Sequence, residues 1–245
     1  MKYKCIKAIL FDSGRVLNKP VSGHWFISPK FFEYVDEEIF TSIEKNKVFY
    51  AFQKANEYIG MQKFILNKEC EYNHFVEFYN IFSQNLPELK LEYNDVELLA
   101  KDLVYNAEKY EFYDDALEIL PSLKMDYKLA IVSDAWPSIV DVYEKNKLGG
   151  YFDCFVVSSF LGVSKPDSKM YQTALDELNV SSHEAIFIDD NFKNIEGAMA
   201  LGINSILLCR DKQEYYWYKA QSLGKDYIVI NDLRKICEVL KWRNK

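Results

Sequence analysis

The sequence has 245 residues, 49% of them hydrophobic and 16% aromatic, with a formal net charge of -7. A chain of this length and apolar content buries a sizeable core as one large domain or two modest ones, which excludes a disordered chain. Acidic and basic residues are interspersed without long single-sign blocks, so neither a nucleic-acid footprint nor a basic membrane patch is expected, and a small, mobile substrate is the starting expectation.

The first apolar run, Ala8 to Phe11, is too short for a signal-peptide core and meets Asp12 at once. No later run is long enough to span a bilayer, so a cytoplasmic location is expected. A carboxylate at the end of such a run is either a turn cap or a reagent. Residues 18–111 then carry aromatic and aliphatic residues at helical spacing, many charges and no strand pattern. They read as an all-helical insertion whose aromatics, among them Phe31, Phe32, Tyr34, Phe40, Phe49, Tyr50 and Phe52, pack a small helical core.

Residues 1–17 and 112–245 have another texture. The runs "KAILF", "KLAIVS", "CFVVSS", "AIFID", "NSILL" and "DYIVI" are short and β-rich, and most lead into a helical pattern. That alternation predicts an α/β fold: a Rossmann-like parallel sheet covered on both faces, with the helical segment inserted as a cap after the first strand. In "KPDSKMYQTALDELNV", Pro166 suits a first-turn position, and Met170, Ala174, Leu175 and Leu178 share a face. In "NFKNIEGAMALG", Ile195, Ala198, Met199 and Leu201 form a stripe, and Gly202 sits where a left-handed cap would end the helix. The late "EYYWYKA" reads as a helix face or an interaction surface. Five cysteines, Cys5, Cys70, Cys154, Cys209 and Cys237, are scattered with no C-x-x-C pair, which predicts buried, reduced thiols and no zinc site.

Ligands of parallel α/β sheets bind at the carboxyl ends of strands, where helix N-termini also point. Those ends here are Asp12, Ser133-Asp134 and Asp189-Asp190, with Lys165 in the loop beyond "CFVVSS". An aspartate in such a set can attack phosphorus and form an aspartyl-phosphate. Asp12, Asp189 and Asp190 supply hard oxygen ligands for Mg²⁺, without which they would repel one another. Lys165 adds a positive charge on the transferring oxygens and Ser133 a hydroxyl donor. Singly, each acid could be a helix or turn cap; in this order, with Ser133 and Lys165, capping does not account for them.

The segments "ILFDSGRVL", "LAIVSDAWPSIV", "GVSKPDSKMYQTAL" and "FIDDNFKNIEGAMALGI" resemble, in order, the four motifs of the haloacid dehalogenase-like hydrolase superfamily, in the branch with a helical cap after the first strand. The resemblance covers nearly the whole core and is most specific in the fourth segment. It implies Asp12 as nucleophile, Ser133 and Lys165 as the phosphate-binding pair, and Asp189 with Asp190 as the metal-side acids. It further implies the Gly14 backbone carbonyl as a Mg²⁺ ligand and Asn194 as support for the metal or the lysine. Asp134 and Trp136, beside the second motif, are the further candidates for substrate contact.

One position departs from the pattern. Phosphatases of this superfamily usually carry a second aspartate two residues after the nucleophile, as acid to the leaving group and base to water. Here that residue is Gly14. Three expectations follow: a Mg²⁺-dependent phosphatase of a small phosphorylated metabolite in which His24, Asp134, Arg15 or metal-bound water takes over; a dehalogenase in which Asp12 attacks carbon, which the paired acids disfavour; or a phosphate-binding regulatory protein that has lost catalysis. Dinucleotide, P-loop and serine-hydrolase chemistry lack their sequence handles.

Overall fold

The computed structural model describes residues 5–241. In chain order the strands are β1 (Ala8–Phe11), β2 (Asn18–Pro20), β3 (Tyr110–Phe112), β4 (Lys128–Ser133), β5 (Cys154–Val157), β6 (Ala185–Asp189), β7 (Asn204–Leu208) and β8 (Tyr227–Ile230). The helices are α1 (Phe31–Tyr34), α2 (Glu37–Ser42), α3 (Lys45–Gly60), α4 (Lys68–Asn85), α5 (Tyr93–Tyr105), α6 (Asp114–Asp126), α7 (Ile139–Lys145), α8 (Ser158–Leu161), α9 (Ser168–Leu178), α10 (Phe192–Ala200), α11 (Lys212–Gln221) and α12 (Lys235–Lys241). The chain divides into two compact units, one formed by the segments up to Lys19, Glu111–Ala135 and from Asn146 onward, the other by Pro20–Tyr110 and Trp136–Lys145.

The first unit is built on a six-stranded sheet in the order β5-β4-β1-β6-β7-β8, with every neighbouring pair parallel. All six strands fall on the β-rich runs of the sequence. They read as continuous apolar runs because both faces are covered. Ala8, Leu10, Ala130, Val132 and Phe187 form one buried face with Met170, Ala174, Leu175 and Leu178 of α9 and Ile195 and Ala198 of α10. Ile9 and Phe11, pointing the other way, are equally buried. The strand order reverses at β1: the chain fills β4 and β5 on one side and returns to β6 on the other. A crevice at the carboxyl ends of β1 and its neighbours is the geometric consequence.

Two local expectations meet different outcomes. Gly202 has φ +78°, and Ile203 N–H donates to the Ala198 carbonyl at 3.1 Å and Gly202 N–H to Met199 at 2.9 Å, the left-handed termination of α10. Pro166, expected in the first turn of α9, instead precedes it. The helix starts at Ser168, capped by the Asp167 carboxylate accepting from Lys169 N–H at 2.9 Å. Aspartate is the stronger capping residue, and it sits one position nearer the helix.

The second unit is packed by α3, α4 and α5 around Phe31, Phe52, Phe75, Phe78, Tyr79 and Phe82. Phe52 and Phe82 rings lie 4.5 Å apart. Phe32, Phe49 and Tyr50, expected in this core, are exposed: α1 buries Phe31 in place of its neighbour, and α3 turns Ala51, Phe52, Ala55 and Ile59 inward. The segment 18–111 is not wholly helical: β2 and β3 form a two-stranded sheet. Three-residue strands, one ending in proline, are too short to show a period of two. Of the cysteines, Cys154 and Cys209 are buried as expected, whereas Cys5 and Cys70 are exposed, the latter on the outer face of α4's first turn. Among the described residues no helix is long and apolar enough to cross a membrane.

Candidate active site

Parallel register brings the site together. Phe11 lies beside Ile131 of β4 and Ile188 of β6, and Asp12 N–H donates to the Ile188 carbonyl at 2.9 Å. Asp12 and Asp189 are therefore next to one another, each one residue beyond a paired position. Ser133 ends β4 on the other side of β1 and is buried.

Lys165, between α8 and α9, reaches into this group with an almost fully buried side chain. Its ammonium donates to Asp12 Oδ1 at 2.7 Å and to Asp189 Oδ2 at 2.8 Å. The backbone holds it there: Lys165 N–H donates to Asp134 Oδ1 at 2.9 Å. Asn194, in the first turn of α10, donates from Nδ2 to Asp189 Oδ2 at 3.0 Å, and Asn191 N–H donates to the other oxygen at 2.7 Å. The Lys165 ammonium and both oxygens of Asp189 thus have hydrogen-bond partners, which a low-dielectric site demands.

The electrostatics are unbalanced towards negative charge. Burial pushes the Asp190 carboxyl up to about 6, reinforced by Asp12 and opposed by Arg15, whose guanidinium stands 3.7 Å away. Burial and the Asp12 carboxylate push Asp189 up in the same way, with Lys165 opposing. Burial alone would lower the Lys165 ammonium, but the carboxylates of Asp12, Asp189 and Asp134 outweigh it and raise it. Asp12, Asp189 and Asp190 each offer one oxygen, and these atoms lie within 4.8 Å of one another. The four carboxylates of Asp12, Asp134, Asp189 and Asp190 face one buried ammonium and the largely exposed guanidinium of Arg15, which leaves room for another positive charge, and the all-oxygen donor set suits a hard divalent cation.

The chain belongs to the haloacid dehalogenase-like hydrolases. The family profile of that description matches residues 37–208, well over half of the chain. As a member of this family it is a hydrolase, and it is similar to characterised members of more than one kind. It is 29% identical over 195 residues to the glyceraldehyde 3-phosphate phosphatase of Pyrococcus furiosus, covering 72% of this chain and 78% of that protein. It is 33% identical over 113 residues to the (S)-2-haloacid dehalogenase 4A of Burkholderia cepacia, covering 45% of this chain and 49% of that one. In fold it resembles the magnesium-bound HAD-hydrolase YfnB of Bacillus subtilis, with a TM-score of 0.65, 18% identity and coverage of 97% and 99%.

The remaining sequence candidates of this family member have partners of their own. Trp136 belongs to the helical unit, where its ring meets Phe75 edge-on at 5.5 Å. His24 belongs there too: its Nδ1 accepts Phe26 N–H at 3.2 Å and its ring lies 4.7 Å from Phe52. Burial lowers its basicity. Two contacts had no signal in residue spacing. The buried Tyr171 hydroxyl donates to the Asn194 carbonyl at 2.8 Å, and Asn18 Nδ2 donates to Ser13 Oγ at 2.7 Å, bracing the turn after Asp12. Gly197, by contrast, was visible in the fourth motif. A Cβ there would meet Pro166 Cβ at 2.6 Å, so its glycine lets α10 approach the Lys165-Pro166 loop.

Proposed function

We propose that this hydrolase is a phosphatase acting on a small phosphorylated metabolite, with Asp12 as nucleophile, and that its helical unit supplies substrate specificity. The observation that carries the reading is the convergence of three carboxylates, with oxygens within 4.8 Å of one another, two of them hydrogen-bonded to Lys165. A site made to bind a substrate carboxylate alone gains nothing from the second acid, Asp190.

Asp12, Asp189, Asp190 and the Gly14 carbonyl would hold Mg²⁺, which when bound offsets the negative charge of nucleophile and phosphoryl group. A carboxylate oxygen of Asp12 forms a bond to phosphorus as the ester P–O bond breaks, and the alkoxide takes its proton from water because Gly14 offers none. Water then attacks the phosphorus of the aspartyl-phosphate, giving up a proton that neutralises the hydroxide left by the first step. The bond to Asp12 breaks, phosphate leaves and the carboxylate is restored. Lys165 neutralises charge on the transferring oxygens, and Ser133 donates a hydrogen bond to one of them. Asn194 and Asp134 keep Asp189 and Lys165 in place.

The test is phosphate release from a panel of phosphorylated metabolites, with and without Mg²⁺, for the native chain and Asp12→Asn. Metal-dependent release lost in the variant is expected. Halide release from 2-haloacids without metal would replace this reading by the dehalogenase one, in keeping with the second relative. No turnover with Mg²⁺ binding intact would leave a phosphate-binding protein.

A further inference from the structure

The turn that follows Asp12 contains a non-glycine residue in the left-handed region. Arg15 has φ +60°, a conformation disfavoured for an L-residue because its Cβ crowds the following carbonyl oxygen. Something must hold it. From below, Arg15 N–H donates to the Asn18 carbonyl at 2.7 Å, and Leu17 and Asn18 N–H both donate to the Ser13 carbonyl, at 2.8 and 3.1 Å. From the other side comes a residue 195 positions away. Arg210, just past the end of β7, donates from Nε to the Arg15 carbonyl at 3.0 Å and from Nη2 to the Val16 carbonyl at 2.7 Å.

Arg210 is itself fixed. The buried Asp115 carboxylate accepts from Nη1 at 3.1 Å and from Nη2 at 3.0 Å, a paired geometry that only a guanidinium provides. Asp115 Oδ2 also accepts Leu233 N–H at 2.8 Å, so the acid is anchored to the backbone after β8. The guanidinium carbon stacks 3.6 Å from the centre of the Tyr113 ring, and Tyr113 N–H in turn donates to the Leu17 carbonyl at 3.0 Å. Four of the five guanidinium N–H groups are spent in this clamp, two of them on carbonyls of the turn.

We propose that Arg210 is a positioning residue for the nucleophile loop. The φ and ψ of Arg15 together set the angle between the peptide that carries the Gly14 carbonyl and the peptide that carries the Arg15 carbonyl. Asn18 pins the first peptide through its N–H, and Arg210 pins the second through its oxygen. Holding both fixes where the Gly14 carbonyl points, and with it the approach of the Arg15 guanidinium to Asp190. Nothing in Arg210 touches Asp12, Asp189, Asp190 or Lys165 in the bonds described; its action runs through the backbone of residues 15 and 16.

The kinetic consequence rests on the phosphatase reading, whereas the conformational one does not, and the experiment separates them. Amide exchange is followed by NMR in the full chain without metal or substrate, for native protein, Arg210→Ala and Arg210→Lys. The expected result is exchange at Arg15, Leu17 and Asn18 faster by about tenfold or more in both variants, as loss of charge-assisted hydrogen bonds implies, with β4 and β5 unchanged. Lysine retains the charge and the apolar stem but not the fork, so Arg210→Lys keeps the fold while failing to restore the turn. Mg²⁺ titration calorimetry should show weaker binding in both. With p-nitrophenyl phosphate, kcat should fall about tenfold at nearly constant KM, and added ethylguanidinium should recover Arg210→Ala selectively. Native-like exchange of the turn in both variants overturns the proposal, whether or not the native chain hydrolyses the probe. Faster exchange spread evenly over the sheet, without guanidinium rescue, overturns it as well, since the arginine would then serve stability alone.

Discussion

The ammonium of Lys165 lies 2.7 Å from Oδ1 of Asp12, although 153 positions separate the two residues in the chain. The contact spans the sheet's point of strand reversal and exists only because β1 lies between β4 and β6. It is a buried ion pair with a third member, Asp189, so its energetic meaning lies in what happens when the cation is removed.

Lys165→Met leaves two carboxylates facing each other in a buried site. Removal of one partner of such a cluster costs about 3–5 kcal/mol. Thermal unfolding should show that loss in metal-free buffer, and Mg²⁺ should stabilise the variant more than the native chain because the added cation replaces the missing screening. Turnover should fall about 10²–10³-fold and stay low with Mg²⁺ present, since a lost oxyanion donor is not recovered by restored stability. Equal Mg²⁺ stabilisation of the two proteins would argue against a shared electrostatic site.

Gly197→Ala tests the close approach of α10 to the lysine loop. The new methyl would stand 2.6 Å from Pro166 Cβ and 3.0 Å from both the Pro166 carbonyl and the Tyr171 hydroxyl. Two of these neighbours are not flexible side-chain ends, so the helix or the loop must shift, at about 1–3 kcal/mol. Activity should fall with stability, because residue 166 is adjacent to Lys165. Gly202→Ala is the comparison: it strains a left-handed residue by about 1 kcal/mol at the far end of α10, and denaturation should register it while turnover remains native.

Within the helical unit, Glu71, Ser138 and Lys109 form a buried chain. Lys109 Nζ donates to Ser138 Oγ at 2.6 Å and to the Leu103 carbonyl at 2.8 Å; Ser138 Oγ and N–H donate to Glu71 at 2.5 and 2.7 Å. Burial pushes Lys109 down to about 8 from its ordinary 10.5, against the pull of Glu71. Between those values the unfolded chain holds this lysine's proton and the folded one does not, so its contribution to stability rises with pH, by at most about 1.4 kcal/mol per pH unit. It is read as the difference between native and variant, because the buried Cys154 and Cys209 thiols, pushed up by burial, act in the opposite sense above about pH 9. Lys109→Met should abolish the rise and, at pH 7, destabilise by about 3–5 kcal/mol by stranding the Glu71 charge; adding Glu71→Gln should recover part of the loss. Urea unfolding from pH 7 to pH 10 reads both effects.

The six sheet strands were legible because each is a short apolar run closed by a polar residue, and burial on both faces leaves no alternation to misread. Asp12, Ser133 and Asp189 were legible for the same reason: strand ends of a parallel sheet converge. What escaped was whatever depends on two distant segments meeting. Trp136, three residues after Ser133, packs edge-on against Phe75 of α4, a contact that no spacing within its own segment announces. Arg210 looks like an ordinary charged residue after a strand. Its role depends on Arg15 and Asp115, neither of which lies on its own element.

Gly14 stands where the usual acid would be, so on the proposed phosphatase reading the residue two positions after the nucleophile cannot protonate the leaving group. The rate should fall steeply as the leaving alcohol becomes more basic, so aryl phosphates such as p-nitrophenyl phosphate should turn over far faster than alkyl phosphates. Gly14→Asp supplies a carboxyl two residues from the nucleophile, and general acid help is worth about 10²–10⁴-fold where the leaving group needs it. The variant should gain on alkyl phosphates and change little on p-nitrophenyl phosphate, flattening the dependence on leaving-group pKa. A native chain already insensitive to the leaving group would mean that another group donates the proton. Asp134→Asn then discriminates: an asparagine oxygen can still accept Lys165 N–H, as the Asp134 carboxylate does at 2.9 Å, so the loop is preserved while the titratable proton, and with it one of the three charges that act on Lys165, is removed.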